Sequence, residues 1–112
     1  MSSQIILEHY IFIKAGAGDE LFQGNALARG HDVAISNIKF YDENAALTVV
    51  QLGVTLNNIQ YALAGSGAQA QYTFSSNFTQ ALVPGESLPY VRCTGGGAGN
   101  LLHLFVFGTI LD

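Results

Sequence analysis

Apolar residues along this chain fall in short runs with a period of two, broken by glycine- and asparagine-rich turns, and helical periodicity is hard to find. The first run, residues 5–14, sets Ile5, Leu7, His9, Ile11 and Ile13 on one face and Ile6, Glu8, Tyr10, Phe12 and Lys14 on the other. Both faces are substantially apolar. The second, 33–41, changes parity in its middle: Val33 and Ile35 agree, then Ile38 and Phe40 take the opposite phase. One extra residue near Asn37 restores a common face, which predicts a β-bulge there. Residues 47–54 form the third strand, extended by Leu56, and Asn57-Asn58 turns the chain into a fourth at 59–64. A fifth strand at 69–74 is polar, with Tyr72 and Phe74 in it. The sixth, 78–83, leads to Pro84-Gly85, which suit the central positions of a type II turn. The seventh, 87–93, contains Pro89 and so reads as an edge or bulged strand. The last, 101–111, is apolar on both faces.

Between these runs, 15–18 (AGAG) and 94–100 (TGGGAGN) read as loops. Residues 19–28 read as a loop too, because Gly24 interrupts the only helix-like stretch. Seven or eight short strands with turn signals roughly every 8–12 residues predict an all-β fold, a single-domain antiparallel β-sandwich of jelly-roll type. No linker and no repeat divides residues 1–112, so one domain is expected, with strand 4–14 a candidate to engage a neighbour.

Composition sharpens this picture. The 112 residues are 49% hydrophobic and only 11% charged, and the 42 positions from 44 to 85 carry no formal charge. Ordinary soluble domains are about 25% charged. A chain so poor in charge is expected to cover its surface with neighbours. Only Lys14, Arg29, Lys39 and Arg92 are positive, and the net charge is −4. Four dispersed cations cannot form a phosphate-binding stripe, so nucleic acid is excluded as a partner, and a polybasic membrane contact with it. No run of about 20 apolar residues spans a membrane, and the start lacks the basic region of a secretory signal. Cys93 is the only cysteine; it forms no intrachain disulfide and reads as a small buried hydrophobe.

No catalytic constellation emerges. The acidic pairs Asp19-Glu20 and Asp42-Glu43 read as solvated loop carboxylates, with a weak calcium contact at Asp42-Glu43-Asn44 the alternative. His9, His31 and His103 are far apart in sequence, so no metal site is expected, although pairing of the first and last strands would join His9 and His103. There is no nucleophile elbow and no phosphate loop, and no cofactor is implied. The five tyrosines lie on different strands and read as core and interface rather than as a sugar-stacking platform.

The two-faced terminal strands carry the most information. Leu102, Leu104, Val106 and Ile110 oppose Leu101, Phe105, Phe107 and Leu111, and one small core cannot hold both sets. Either the N-terminal segment covers the C-terminal sheet within one chain, or other subunits cover it. The residues expected at such an interface are Ile5, Tyr10, Ile11, Phe12, Leu101, Phe105 and Phe107.

From Val33 onward the order of features adds a resemblance. It runs through an apolar strand, the small-residue hairpin Asn44-Ala45-Ala46-Leu47-Thr48-Val49, a polar and an aromatic strand, Leu82-Val83-Pro84-Gly85-Glu86-Ser87-Leu88, a glycine loop, and a closing strand ending in Phe107-Gly108. Over roughly 80 residues this resembles the small jelly-roll virion proteins of tailed bacteriophages, such as capsid decoration (cement) and head or tail accessory proteins. Pro89 and Gly95-Gly96-Gly97 depart from that pattern. The resemblance implies a homo-oligomeric structural protein that is not an enzyme, placed in the virion against a major capsid or tail protein. The alternative is a receptor- or glycan-binding knob, with its ligand on the loops at 61–67 and 95–100.

Overall fold

The structure, a computed structural model, describes residues 5–43, 47–64, 67–68 and 73–111. Among these residues the chain forms nine strands and no helix: β1 (Ile5–Ile13), β2 (Glu20–Gln23), β3 (Asp32–Asp42), β4 (Leu47–Leu56), β5 (Ile59–Ala64), β6 (Gly67–Ala68), β7 (Thr73–Pro84), β8 (Leu88–Gly95) and β9 (Leu101–Ile110). All pairings are antiparallel. One sheet has the order β1-β9-β3-β7 and the other β2-β8-β4-β5, with β6 added to β4. The pairings nest: β1 with β9, β2 with β8, β3 with β7, β4 with β5. Contacts of β3 with β9 and of β4 with β8 join these pairs side by side.

The sheets close on a shared core, as an antiparallel β-sandwich. Val33, Ile35, Ile38 and Phe40 of β3 and Leu102, Leu104 and Val106 of β9 meet Leu52 and Val54 of β4 and Val91 and Cys93 of β8. Burial of each large side chain contributes about 1.5–3 kcal/mol. Along β9 the alternation is strict, even-numbered residues from Leu102 to Val106 inward and their odd-numbered neighbours outward.

The bulge expected near Asn37 is present: the register of β3 shifts between Ile35 and Asn37 against both β7 and β9. It lets Val33, Ile35, Ile38 and Phe40 all reach the core despite their change of parity. Gly108 serves the same spot. It pairs with Ile35, and a Cβ there would collide with the Ala34 carbonyl and lie 3.0 Å from the Ile35 Cα. The Asn57-Asn58 turn is also present, with φ of 54° and 64°, as a two-residue hairpin of type I′ demands.

Five local readings are corrected. Residues 20–23 are strand rather than loop: β2 pairs with β8 and alternates Leu21 and Gln23 outward with Phe22 inward. Gly24, read as an interruption, is instead a contact point, since a Cβ there would fall among the ring atoms of Tyr10. The fifth and sixth strands are one element, β7, because Ser75, Ser76 and Asn77 pair with Lys39, Ile38 and Asn37. The expected residues 69–72 lie outside the described residues, as do Asn44-Ala45-Ala46 and Gly65-Ser66.

The turn after β7 sits one residue later than Pro84-Gly85. Ser87 N–H donates to the Pro84 carbonyl at 3.0 Å, so Gly85 and Glu86 are central. Finally, β8 is an interior strand in spite of Pro89. The ladder with β2 begins at Tyr90, and beyond it the Pro89 carbonyl accepts from Gly24 N–H at 2.8 Å. The missing N–H of proline falls where β2 has already ended.

Candidate functional site

Chain ends that pair edge to edge cannot cover each other. Strands β1 and β9 lie side by side in one sheet, so both keep an outward face. Paired residues share a face, which builds rows across the sheet. One row is Ile11, His103 and Tyr41, the next His9, Phe105 and Lys39. Ile13 and Leu101 flank them at one end, Ile6 and Phe107 at the other. A register shift in β1 between Ile6 and Glu8 explains the membership. It turns Ile6 outward beside His9, Ile11 and Ile13, and Leu7 inward with Tyr10 and Phe12.

The face is apolar and open. Ile6, Ile11 and Ile13 are 55%, 58% and 62% exposed. Phe105 stacks on His9 with centroids 4.2 Å apart and planes 7° from parallel. Along β9, His103, Phe105 and Phe107 follow one another at 6.3 and 6.4 Å. His9 and Phe105 lie face to face, and His103 and Phe107 lie near parallel to Phe105 at the larger spacing. Lys39 Nζ lies 5.7 Å from the Phe107 centroid and supplies a cation–π contact.

A polar thread crosses this face. Glu43 Oε2 is 2.6 Å from His103 Nε2, and His103 Nδ1 is 3.1 Å from His9 Nε2. With both rings neutral, His9 donates to His103 and His103 donates to the carboxylate. Among the described residues no nucleophilic side chain is hydrogen-bonded to either ring, and none of their His, Cys, Asp and Glu side chains group in threes to hold a metal ion. The thread fixes ring orientation on an otherwise greasy surface.

Of the seven residues expected at an interface, Ile11, Leu101, Phe105 and Phe107 lie on this outward face. Tyr10 and Phe12 turn inward. Tyr10 exchanges hydrogen bonds with the Asn25 backbone at 3.1 and 3.2 Å, and burial pushes its hydroxyl up to about 12. Phe12 stacks on Phe22 of the opposite sheet at 5.1 Å. The side chain of Ile5 lies outside the described residues. Ile6 and Ile13 are the members that sequence reasoning missed, Ile6 because nothing marks the β1 bulge. The tyrosines do not gather: Tyr90 is fully buried with its hydroxyl on Gln51 Oε1 at 2.7 Å, Tyr41 is on the outer face, Tyr61 is on β5, and Tyr72 lies outside the described residues.

The acidic pairs split up. Asp42 is fully buried rather than solvated, within reach of Asn100 Nδ2 at 3.4 Å, while its neighbour Glu43 turns out to His103. Asp19 forms a forked ion pair with Arg92, at 2.6 Å to Nη2, which holds its carboxyl below the ordinary value. Glu20 accepts from Ala15 and Gly16 N–H, contacts that lower its pKa, and reaches Lys14 Nζ at 3.3 Å. Lys14, read as one of four scattered cations, is buried and also donates to the Gly18 carbonyl at 2.7 Å. Its backbone ties down the glycine loop: Lys14 N–H donates to Asn100 O, and Gly99 N–H to Lys14 O. Cys93 is buried and free, its thiol pushed up to about 11 by burial.

Among the described residues no helix is long and apolar enough to cross a membrane. Neither a protein-family model, nor a curated protein, nor a solved structure matches this chain.

Proposed function

We propose that this protein is a structural subunit that works by surface contact, a capsid decoration or cement subunit of a tailed-phage virion. One observation carries the reading. The outward face of β1 and β9 holds Ile6, Ile11 and Ile13, each more than half exposed, around the stacked Phe105 and Phe107. A patch of that kind on a monomer marks a surface made to be covered. A neighbouring subunit or a major capsid or tail protein covers it here. Burial of strand faces between subunits then stabilises the particle.

The nested pairing supports a jelly-roll winding for the same chain, since rolling one long hairpin into two sheets gives that set of partners. His9 occupies one face of Phe105 and Lys39 lies over Phe107, which suits a packed interface better than sugar stacking. Peptide mass spectrometry of purified virions from the source of this sequence tests the placement. The chain is expected in the particles at a copy number that matches repeated capsid or tail sites. Its absence from them, or saturable binding to a glycan array by the isolated protein, overturns the proposal.

A further inference from the structure

A second feature, independent of the outer face, lies at the other side of the sandwich. Strands β5 and β7 are the outer strands of their sheets there, and a cavity of about 350 Å³ opens between them. Val54, Leu56, Tyr61 and Leu63 line it from the β4–β5 hairpin, and Ala81 to Pro84 from β7. None of the lining residues is charged. The one other polar side chain besides Tyr61 is Ser87, which is fully buried, and its Oγ has no hydrogen-bond partner among the described residues.

We infer that this cavity is a binding site for a small neutral molecule with a compact apolar body and one hydroxyl or carbonyl. The volume sets the size. An engineered apolar cavity of about 150 Å³ takes benzene, so this one holds roughly two fused rings or ten carbons. The lining sets the charge. A carboxylate or ammonium entering these walls would lose its hydration and meet no counter-ion, so the ligand is uncharged. Ser87 sets the polar end. A buried hydroxyl without a partner is costly, and it both donates and accepts, so a turn of the Ser87 side chain toward the cavity lets a ligand hydroxyl or carbonyl complete it. An ordered water is a poorer occupant, because it needs two to four polar partners. An apolar side chain from a second copy would fill the volume but leave Ser87 unpaired.

Titration of the full-length protein with 2-naphthol, followed by calorimetry and by amide NMR shifts, tests the site, with naphthalene and 2-naphthoate as controls. Saturable binding of 2-naphthol is expected, with shifts centred on residues 54–63 and 81–87 and no binding of the anion. Ser87→Ala is expected to weaken 2-naphthol by roughly 3- to 10-fold, the worth of one neutral hydrogen bond, and to leave naphthalene unchanged. Leu63→Trp and Ala81→Phe fill the cavity from opposite walls, and whichever folds is expected to lose binding. The proposal is overturned by no saturable binding, by equal affinity in Ser87→Ala, by retention in a folded filled variant, or by concentration-dependent shifts at the same residues that show a second copy in the cavity.

Discussion

Replacing Ile6, Ile11 and Ile13 together by threonine separates association from folding. Threonine keeps the β-branch, so strand propensity changes little while the apolar surface is lost. The three side chains are 55%, 58% and 62% exposed in the single chain. A covering partner therefore buries a little over half of each. Full burial is worth about 1.5–3 kcal/mol per side chain, so each contributes about 1–2 kcal/mol to association and the three together about 3–5 kcal/mol. At about 1.4 kcal/mol per tenfold, the triple variant should bind its neighbour roughly 10²-fold to several times 10³-fold more weakly. The cost of immobilising two bodies is common to variant and parent and cancels from the comparison. Folding of the single chain should lose less, about 0.6–1.3 kcal/mol per site on the same scale, because a little under half of each residue is buried there. Sedimentation velocity over a dilution series reads the first quantity, and urea unfolding at a concentration where both proteins are dissociated reads the second. A variant whose association stays unchanged would refute the reasoning.

Other outcomes follow from the same contacts. Asp19, Glu20 and Glu86 are held below their ordinary values, chiefly by Arg92, by the Ala15 N–H and by the Gly30 N–H respectively. A lowered folded-state value gives stability that is present above the unfolded value of about 4 and is lost as pH falls through the folded one. Urea midpoints should therefore drop on acidification below about pH 4, and Glu20→Gln should flatten that limb. Cys93 and Tyr10 are raised to about 11 and about 12, so their contributions are full at neutral pH and are lost as pH rises through those values. At pH 8 the folded protein should react with a thiol reagent only as fast as it opens, and a fast reaction would show Cys93 to be accessible. Long-range nitrogen NMR of the neutral rings should find His9 and His103 both protonated at Nε2; Nδ1–H on His103 would break the proposed thread to Glu43.

Much of this fold is legible from residue spacing, for identifiable reasons. The parity change between Ile35 and Ile38 announces the β3 bulge because four apolar side chains must share one core. Two adjacent asparagines announce the β4–β5 hairpin because they tolerate positive φ. The β1 bulge has no such mark. Apolar residues stand on both of its faces, so a slip at Leu7 costs the pattern nothing, and the inward and outward sets near Ile6 are settled only by pairing with β9. Strand β2 is too short for periodicity to register, and Gly24, which follows it, matters for contact with Tyr10 rather than for breaking a helix. The interface candidates divide for the same reason. Phe105 and Phe107 follow from strict alternation, whereas Tyr10 and Phe12 needed the opposite sheet in view. The buried Lys14 and Asp42 are long-range events, set where the glycine loop folds back on the ends of β1 and β3.

In the proposed function, the outward face of β1 and β9 is built to be covered. Light scattering of the purified wild-type chain across a dilution series measures this most directly. A discrete oligomer that persists to micromolar concentrations or below, or a monomer driven into one by the proposed capsid or tail partner, is the expected result. A dispersed monomer of 11.9 kDa at every concentration, which neither self-associates nor binds particles, would contradict it.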